Sequence, residues 1–323
     1  MRCYPFMLTK ILICIPTFRR PEGLLRLLKA LSGQSGIDQR RWAVEVCVID
    51  NDPQGSALPV VAPLQSGYRF PLHYELETRV GVSFARNRAL KIANRSAEWV
   101  AFVDDDEVPC RDWLAELLVI RDHFCAHIVC GPVLSYSPEN HFDWLLGSWV
   151  FQRSRHVSGT KLHRGNTGNV LIHRQVWDTI GDFETKFALT GGEDTHFFRR
   201  ALSSGFEMRW ADHAEVVEWI TDDRLNLLWT MRRAFRGGAI SAQVEFDLHG
   251  ASVSNRAIEA LKGIARIAAH TALLPVSTLF GSTCLVSRVQ RISRGAGLLA
   301  ATFGSDGKEY GAVRHRDTEV SAH

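Results

Sequence analysis

The first half of the chain alternates short apolar runs with longer stretches in which apolar residues recur at helical spacing. Apolar runs cover residues 11–15, 44–49 and 99–103, and helical patterns follow Pro21 and cover residues 82–93. Continuous apolar runs are typical of strands that are buried on both faces, as in parallel sheets. The alternation therefore predicts an α/β fold in which a mostly parallel sheet is flanked by helices.

After residue 106 the alternation becomes less regular. The pattern predicts a helix over about 111–123, strands over 128–133 and 170–173, and a helix that opens at residues 191–194 and ends before Gly205. An aromatic stretch at 141–169 has no clear period. We expect substrate specificity to be determined in that stretch.

The C-terminal third combines an apolar segment with basic residues. Residues 267–287 contain no Asp, Glu, Lys or Arg, so length alone permits a membrane span, although Pro275 and several polar residues interrupt the segment. We predict a re-entrant or interfacial helical hairpin instead. The alternative is an ordinary buried helix pair. Basic residues that attract anionic lipids flank the segment: Lys262, Arg266, Arg288, Arg291 and Arg294.

Composition excludes several classes of protein. With 323 residues, 46% hydrophobic and 23% charged, the chain is neither disordered nor fibrous. Its net charge of +3 is too small to indicate nucleic acid binding, but residues 224–300 hold ten Lys and Arg against three Asp and Glu, which favours anionic partners. The seven cysteines include no C-x-x-C pair and indicate a reducing, cytosolic environment. The run at 11–15 is too short for a signal peptide and is interpreted as the first strand.

Three consecutive aspartates, Asp104, Asp105 and Asp106, follow the apolar run at 99–103. Clustered carboxylates repel one another unless a cation lies among them. Hard oxygen ligands suit Mg²⁺ or Mn²⁺, which keep open positions for substrate phosphates. The cluster therefore predicts a divalent metal site, and the alternative is a solvated acidic turn.

Three predicted strands end at Pro16, Asp50 and Asp104, and loops rich in polar residues follow them. Parallel strands bring their carboxyl ends to one edge of the sheet, and open α/β sheets bind ligands there. Asp50 or Asp52 can accept hydrogen bonds from a base or ribose, and Arg86 can donate to a base or phosphate. The alternatives are an ordinary turn after residue 49 and a surface charge on a helix.

Five motifs in a fixed order resemble the family 2 glycosyltransferases, over roughly residues 9–240. The resemblance is closest to bacterial exopolysaccharide enzymes of the succinoglycan glucosyltransferase type. The motifs are Ile-Pro-Thr-Phe-Arg-Arg-Pro at 15–21, Val-Ile-Asp-Asn-Asp at 48–52, Gly-Val-Ser-Phe-Ala-Arg-Asn at 81–87, Phe-Val-Asp-Asp-Asp-Glu at 102–107 and Gly-Gly-Glu-Asp-Thr-His-Phe-Phe at 191–198.

The resemblance implies a GT-A fold that transfers a sugar, glucose or another hexose, from a nucleotide diphosphate with inversion. It implies that Asp104 and Asp106 bind Mn²⁺ or Mg²⁺, and that Asp194 is the catalytic base with Glu193 beside it. It assigns the nucleotide-sugar to a larger set of residues: Pro16, Thr17, Arg19, Asp50, Arg86, Asp104, Asp105, Arg233 and Arg236. Helix capping by Asp194 and a solvated basic helix at 232–236 are the alternatives.

The resemblance also predicts the partners and the location. We expect a UDP-linked sugar donor, a lipid-diphosphate-linked oligosaccharide acceptor, and a place on the cytoplasmic face of the bacterial inner membrane. Residues 1–240 would form the catalytic domain, and residues 241–323 a helical, basic, membrane-associated region. An acceptor hydroxyl needs a carboxylate to take its proton, and a departing diphosphate needs a cation.

Two departures from the family pattern concern the metal. His196 stands where the family often has an acid, and no histidine follows the last predicted strand, so Glu218 or His213 are candidate third ligands. Two other functions remain as alternatives. A sugar-phosphate nucleotidyltransferase needs an early glycine-rich loop that residues 15–23 lack, and a non-catalytic sugar-binding protein would not need the acids. A zinc site at His123 and His127 lacks the acid of H-E-x-x-H.

Overall fold

A computed structural model describes residues 8–138 and 142–304. The strands are β1 (Thr9–Thr17), β2 (Trp42–Asp50), β3 (Leu72–Leu76), β4 (Trp99–Val103), β5 (Glu107–Pro109), β6 (Ile128–Cys130), β7 (Val133–Tyr136), β8 (Lys161–Leu162), β9 (Asn169–His173), β10 (Met208–Trp210) and β11 (Val216–Trp219). The helices are α1 (Pro21–Ser32), α2 (Leu58–Val61), α3 (Val82–Ala93), α4 (Trp113–Phe124), α5 (Asp143–Leu146), α6 (Arg174–Ile180), α7 (Glu193–Ser203), α8 (Leu227–His249), α9 (Val253–Ala272), α10 (Leu274–Ser277) and α11 (Ser282–Thr302).

Eight strands form one twisted sheet in the order β3-β2-β1-β4-β9-β6-β10-β8. Strands β1, β2, β3 and β4 run parallel, whereas β9 lies antiparallel between β4 and β6. The register pairs Thr17 with Asp50 and Cys14 with Phe102, so the ends of β1, β2 and β4 meet at one edge. The prediction of a mostly parallel sheet flanked by helices is confirmed.

Alternate residues of the central strands pack on opposite faces of this sheet, because side chains alternate along a strand. Ile11, Ile13 and Ile15 belong to one buried cluster with the leucines of α1. Leu12 and Cys14 belong to the second cluster with the small residues of α3. Both faces are therefore covered, which explains why these strands read as continuous apolar runs.

The predicted strand at 128–133 is two strands in the structure. Strand β6 ends at Cys130 and β7 starts at Val133, with Gly131 and Pro132 between them. A side chain at Gly131 would overlap the Ala214 carbonyl oxygen and the Asn169 side chain. Proline interrupts a ladder because it has no N–H, and β7 joins β5 and β11 in a separate three-stranded sheet.

The chain divides into two compact units that do not follow chain order. Among the described residues, the first unit contains 8–134, 154–188 and 197–218, and the second contains 135–138, 142–153, 189–196 and 219–304. The division of the chain at residue 240 stays a prediction.

Helix α11 packs closely on two helices of the second unit. Side chains added at Gly238 of α8 or Gly297 of α11 would overlap the backbone of the facing helix. Between α9 and α11, a Cβ atom on Gly263 would lie 2.8 Å from the Gly295 carbonyl oxygen. These glycines allow backbone contact along the helices, and Ser293 Oγ adds a hydrogen bond to the Met231 carbonyl at 2.8 Å.

The apolar segment at 267–287 forms the end of α9, the short helix α10 and the start of α11, and its predicted contact with a membrane stays a prediction. Four large apolar side chains between α9 and α11, Leu273, Val276, Leu279 and Phe280, are 40–82% exposed. We call them the apolar tip. Within residues 8–138 and 142–304, no single helix has the length and apolar composition to cross a membrane, but Val253–Ala272 with Leu274–Phe280, bent by 50°, has them as a pair.

Candidate active site

The three aspartates lie in a turn between β4 and β5, which we call the carboxylate turn. Asp105 points inward, where its Oδ2 accepts hydrogen bonds from Thr17 Oγ1 at 2.8 Å and Phe18 N at 3.3 Å. Arg20 Nη1 bridges Asp105 Oδ1 at 2.9 Å and Asp106 Oδ2 at 2.7 Å. The end of β1 and the carboxylate turn are therefore held together by charge-assisted hydrogen bonds.

Burial raises the pKa of the Asp105 carboxyl to about 6. The Arg20 guanidinium opposes this shift, and the neighbouring Asp106 charge adds to it. Asp105 is thus a structural acid inside the turn, whereas the side chains of Asp104 and Asp106 are 37% and 18% exposed. Solvent therefore reaches the side chains of the outer two aspartates more readily than that of Asp105.

Helix α1 lies close against the carboxylate turn at Gly23. A Cβ atom built on Gly23 would lie 2.5 Å from the Asp105 carbonyl oxygen, which is closer than real contacts allow. Gly23 therefore permits the approach of helix and turn. Sequence analysis did not single out this residue, because the need for a glycine comes from a backbone some 80 positions away along the chain.

The loop after β2 is organised by Asp50. Its side chain is fully buried, and its oxygens accept hydrogen bonds from Asp52 N at 3.0 Å, Ala57 N at 2.7 Å and Tyr74 OH at 3.1 Å. Burial, and not a lack of acceptor sites, separates this carboxylate from a ligand, since two oxygens can accept more than three hydrogen bonds. Its assignment to the nucleotide-sugar stays a prediction, and the structure gives it a positioning role in the loop.

Asp52 and Arg19 form an ion pair beside this loop. Arg19 Nε lies 3.2 Å from Asp52 Oδ2, and the pair lowers the pKa of the Asp52 carboxyl against the effect of burial. Arg19 has a φ of 54°, a left-handed conformation that is uncommon for residues with a side chain. The strained backbone turns the half-exposed guanidinium back toward the β2 loop, in keeping with a functional edge of the sheet.

Asn51 joins two loops that the sequence motifs mark separately. Its Nδ2 donates to the carbonyls of Glu77 and Arg79 at 3.0 and 2.8 Å, and its Oδ1 accepts from Gly81 N at 2.7 Å. Gly81 precedes α3 with a φ of 145°. The Asn in Val-Ile-Asp-Asn-Asp was a signal for this role, since a buried Asn satisfies backbone groups well.

Arg86 is buried on α3 and points to the carboxylate turn. Its Nη2 lies 3.3 Å from Asp104 Oδ1, and its guanidinium lies 5.9 Å from the Phe183 ring centroid. The interpretation of Arg86 as a surface helix charge is therefore wrong, because the side chain is 4% exposed. The structure brings together Thr17, Arg86 and the three aspartates, as the order of the motifs predicts.

In the second unit, two glycines shape the turn before α7. Gly191 and Gly192 have φ values of 81° and 101°, which favour glycine, and a side chain at Gly192 would overlap Ile240 of α8. Glu193 and Asp194 then occupy the first turn of α7, and Glu193 is buried. Asp194 Oδ1 accepts from the N–H of the next residue, Thr195, at 2.5 Å. Its role as the catalytic base stays a prediction.

His196 has a partner that explains its departure from the family pattern. Its Nε2 lies 2.8 Å from Asp247 Oδ2 of α8, and the histidine is 4% exposed. An acid at position 196 would face Asp247 with like charge. The histidine therefore ties α7 to α8, and this pair was not visible from the sequence.

Arg233 and Arg236 line a cavity of about 380 Å³ in the second unit. Gly191 and Thr190 lie on its wall, so the cavity adjoins the turn that precedes Asp194. Both predicted diphosphate-binding arginines thus line a cavity, and their binding role stays a prediction. Its remaining lining residues are Trp149, Val150, Ala234, Gly237, Ile240 and Arg294.

Comparison with known proteins identifies the family. Residues 12–181 match the model for glycosyl transferase family 2. The succinoglycan biosynthesis protein ExoM of Rhizobium meliloti is 30% identical over 227 residues, which cover 70% of this chain and 72% of that protein. The chain belongs to glycosyl transferase family 2. This glycosyltransferase is also 29% identical to the pre-mycofactocin glycosyltransferase of Mycobacterium tuberculosis, over 71% of its own length and 46% of that relative.

Solved structures support the same fold for this glycosyltransferase. The mannosyltransferase PcManGT from Pyrobaculum calidifontis, solved in complex with GDP-Man and Mn²⁺, matches with a TM-score of 0.55 at 16% identity, over 98% of this chain and 81% of that chain. TarS 1-349 of S. aureus, solved in complex with UDP, matches with a TM-score of 0.52 at 16% identity, over 91% of each. The predicted GT-A fold and the family resemblance are confirmed.

The residues of this glycosyltransferase fit a divalent cation that is shared with a substrate. In the described part of the chain, no group of three or more His, Cys, Asp or Glu side chains is arranged to hold a metal ion on its own, which also leaves the zinc hypothesis at His123 and His127 without support. Asp104 and Asp106 supply two hard, accessible oxygens. Mg²⁺ and Mn²⁺ commonly take one or two carboxylates and complete their shell with phosphates and water.

The candidate third ligands lie in different surroundings. Glu218 on β11 is the register partner of Glu107, which follows the carboxylate turn and accepts a hydrogen bond from Asp104 N at 3.0 Å. His213 lies in an exposed loop. Glu218 therefore remains the better candidate, because its strand adjoins the turn.

Proposed function

We propose that this glycosyltransferase transfers a hexose from a UDP-sugar, with inversion, to a lipid-diphosphate-linked oligosaccharide in the synthesis of a bacterial exopolysaccharide. The observation that carries the proposal is the carboxylate turn, which joins the ends of β1 and β4 through Thr17, Arg20 and Arg86. The naming of ExoM as a succinoglycan biosynthesis protein supports the class of product.

The donor site lies at the carboxyl edge of the sheet in this proposal. Pro16, Thr17 and Arg19 end β1 and start the following loop, and the Arg86 guanidinium and Asp105 complete the edge. Asp104 and Asp106 hold Mn²⁺ or Mg²⁺, which when bound neutralises charge on the departing diphosphate. Neighbouring folds that were solved with UDP or with GDP-Man and Mn²⁺ support a nucleotide donor and a cation.

Asp194 serves as the base in this proposal. An acceptor hydroxyl is a weak nucleophile, and a carboxylate that takes its proton during attack on C1 makes direct displacement, and hence inversion, possible. Asp194 is half-buried at the start of α7, where its Oδ1 accepts hydrogen bonds from Thr195. Glu193 beside it is buried.

The membrane surface is proposed to bind the apolar tip and the exposed apolar face of α9. Ile258, Leu261 and Ile264 follow one another at helical spacing on α9 and are 48–64% exposed. Lys262 lies among them, so apolar insertion and attraction to anionic headgroups act on the same helix. A protein at the cytoplasmic face of the inner membrane in this way meets an acceptor whose lipid anchor stays in the bilayer.

The test uses the purified full chain and a panel of UDP- and GDP-sugars. We expect release of nucleoside diphosphate from a UDP-sugar with Mn²⁺ and little release with EDTA. Asp106→Ala should abolish the dependence of UDP binding on Mn²⁺, because a metal ligand is lost. Asp178→Ala, which removes an exposed acid paired with Arg174 on α6, is the matched control. Metal-dependent UDP binding by Asp106→Ala would contradict the assignment of the metal.

A further inference from the structure

Three arginines of α11 lie along one side of the helix, at positions 288, 291 and 294. We call Arg288, Arg291 and Arg294 the basic surface of α11. The guanidinium groups of Arg291 and Arg294 lie 5.2 and 5.8 Å from the ring centroid of Trp149. Cations over an indole ring are held in a preferred orientation. The indole thus spaces two positive charges in a fixed arrangement.

Helix α11 also fixes the segment that carries this tryptophan. Trp149 N donates to Ser287 Oγ at 3.0 Å, and Val150 N donates to Gln290 Oε1 at 3.1 Å. Gln290 is fully buried, and its Nε2 donates to Ser148 Oγ at 2.8 Å. A buried side chain with both ends satisfied is rigid. The wall formed by Trp149 and Val150 is therefore preformed.

The cavity of about 380 Å³ lies against this wall. Arginines reach it from two helices, Arg233 and Arg236 from α8 and Arg294 from α11. Its volume is in the range of small-ligand pockets. Guanidinium groups that converge from different elements suit a ligand with several anionic oxygens, since each one can bind two oxygens at once.

Positive charge also accumulates along α9 and α11 beyond the cavity. Arg288 Nη1 lies 3.2 Å from His270 Nδ1, and burial together with the charges of Arg288 and Arg266 lowers the pKa of Arg291. Burial and the charges of Arg291, Arg288 and Arg266 lower the pKa of His270. Like charges held this close disfavour one another, and a bound anion relieves the repulsion.

We infer that α11 provides a diphosphate-binding surface, in which Arg294, Arg291 and Trp149 extend the pocket formed by Arg233 and Arg236 of α8. The inference rests on the proposed function, which supplies two diphosphates, that of the nucleotide donor and that of the lipid-linked acceptor. The C-terminal helices then take part in substrate binding, and not only in attachment to the membrane. The basic surface leads along α11 from the cavity toward the apolar tip.

Binding of two probes to the full chain tests the inference and identifies the source of the diphosphate. Geranyl diphosphate represents the lipid-linked acceptor, and UDP with Mn²⁺ represents the donor. Calorimetry with wild type and Arg294→Gln should show at least about a 10-fold loss of affinity for one probe, because a charge-assisted contact to phosphate is removed. Loss for geranyl diphosphate alone assigns the surface to the acceptor, and loss for UDP alone assigns it to the donor.

Two further variants guard against misfolding and unspecific charge effects. Gly237→Ala keeps the net charge, but its Cβ atom would lie 2.9 Å from Arg294 Nη1 and displace the guanidinium, while alanine favours the helix. Gly237→Ala should lower the affinity for the same probe as Arg294→Gln does. Arg95→Gln removes an exposed arginine at the end of α3 and should change neither affinity.

The inference is overturned if Arg294→Gln and Gly237→Ala bind both probes as wild type does, or if Arg95→Gln loses as much affinity as they do. Its failure differs from failure of the proposed function. The protein could bind geranyl diphosphate through Arg294 and yet transfer no sugar to a lipid-linked acceptor. That result would support the diphosphate-binding surface and contradict the proposed reaction.

Discussion

The carboxylate turn and the basic surface of α11 are both clusters of like charge, but their neighbours differ. In the turn, the protein supplies the opposite charge itself, since Arg20 bridges Asp105 and Asp106 and Arg86 contacts Asp104. Around Arg291, the charges that shift its pKa are those of two more arginines. A cation at the turn would compete with these arginines for the carboxylates, whereas an anion that enters the basic surface relieves repulsion.

The two regions are held in shape by different contacts. In the carboxylate turn these are the hydrogen bonds that Asp105 accepts from Thr17 and Phe18 and the bridge from Arg20. The basic surface is held in shape by helix packing and by Ser287 and Gln290, so its charges stay close despite their repulsion. Binding energy in the second case includes relief of an unfavourable interaction.

The largest effect is expected for Asp194→Asn, which alters neither charge cluster. We expect turnover to fall by at least about 10², because an amide cannot accept the proton of the acceptor hydroxyl. Affinity for UDP with Mn²⁺ should stay within a few-fold of wild type in calorimetry. Asp222→Asn, an exposed acid before α8, is the control and should transfer normally. Turnover near that of wild type would contradict the assignment of the base.

The second largest effect is expected at the apolar tip, which lies between α9 and α11. The double variant Leu279→Ser with Phe280→Ser should lower cosedimentation with vesicles of 70% phosphatidylcholine and 30% phosphatidylglycerol by at least about 10-fold, since burial of each large apolar side chain contributes about 1.5–3 kcal/mol. Both side chains are exposed, by 82% and 72%, so we expect their substitution to leave the fold intact. Leu228→Ser, 56% exposed on α8, should bind as wild type does. If Leu228→Ser lost as much vesicle binding as the double variant, the tip would not be the membrane contact.

A smaller effect is expected for Arg20→Gln, which removes an internal positive charge from the carboxylate turn. Without the bridging guanidinium, the carboxylate turn should bind Mn²⁺ a few-fold more tightly in the absence of nucleotide, because no internal cation has to be displaced. Manganese binding can be followed by electron paramagnetic resonance of the free ion. Arg26→Gln on α1 is the matched control. Weaker Mn²⁺ binding by Arg20→Gln would mean that Arg20 supports the site instead of competing for it.

The smallest effect is a pH dependence at His270 of the second unit. Its pKa is lowered by burial and by Arg291, Arg288 and Arg266, so the unfolded chain binds more protons as pH falls below 6.5. The stability that depends on neutral His270 is therefore fully present above pH 6.5 and is lost as pH falls toward the lowered pKa. Urea unfolding of His270→Asn should show a smaller loss between pH 7 and pH 5 than wild type. An identical slope for both proteins would contradict this assignment.

Much of the first unit could be predicted from residues that are close in sequence. The apolar runs of β1, β2 and β4 and the leucine stripe of α1 have periods that depend only on strand and helix geometry. The acidic cluster and the five motifs identified the family, and the ends of parallel strands fixed their common edge. Helix α11 and the hairpin turn were visible only as an apolar segment between basic residues.

The α/β class, the family and the acidic turn could be predicted because each depends on composition or on spacing within a few residues. Contacts across long separations could be found only in the folded chain: Gly23 against the turn, Asn51 between two loops, His196 with Asp247, and Trp149 against α11, 138 residues from its partner Ser287. Such pairs depend on how elements pack, and packing is set by the whole set of apolar contacts rather than by any local pattern. The basic surface became a candidate site only when α8 and α11 brought their arginines to one cavity.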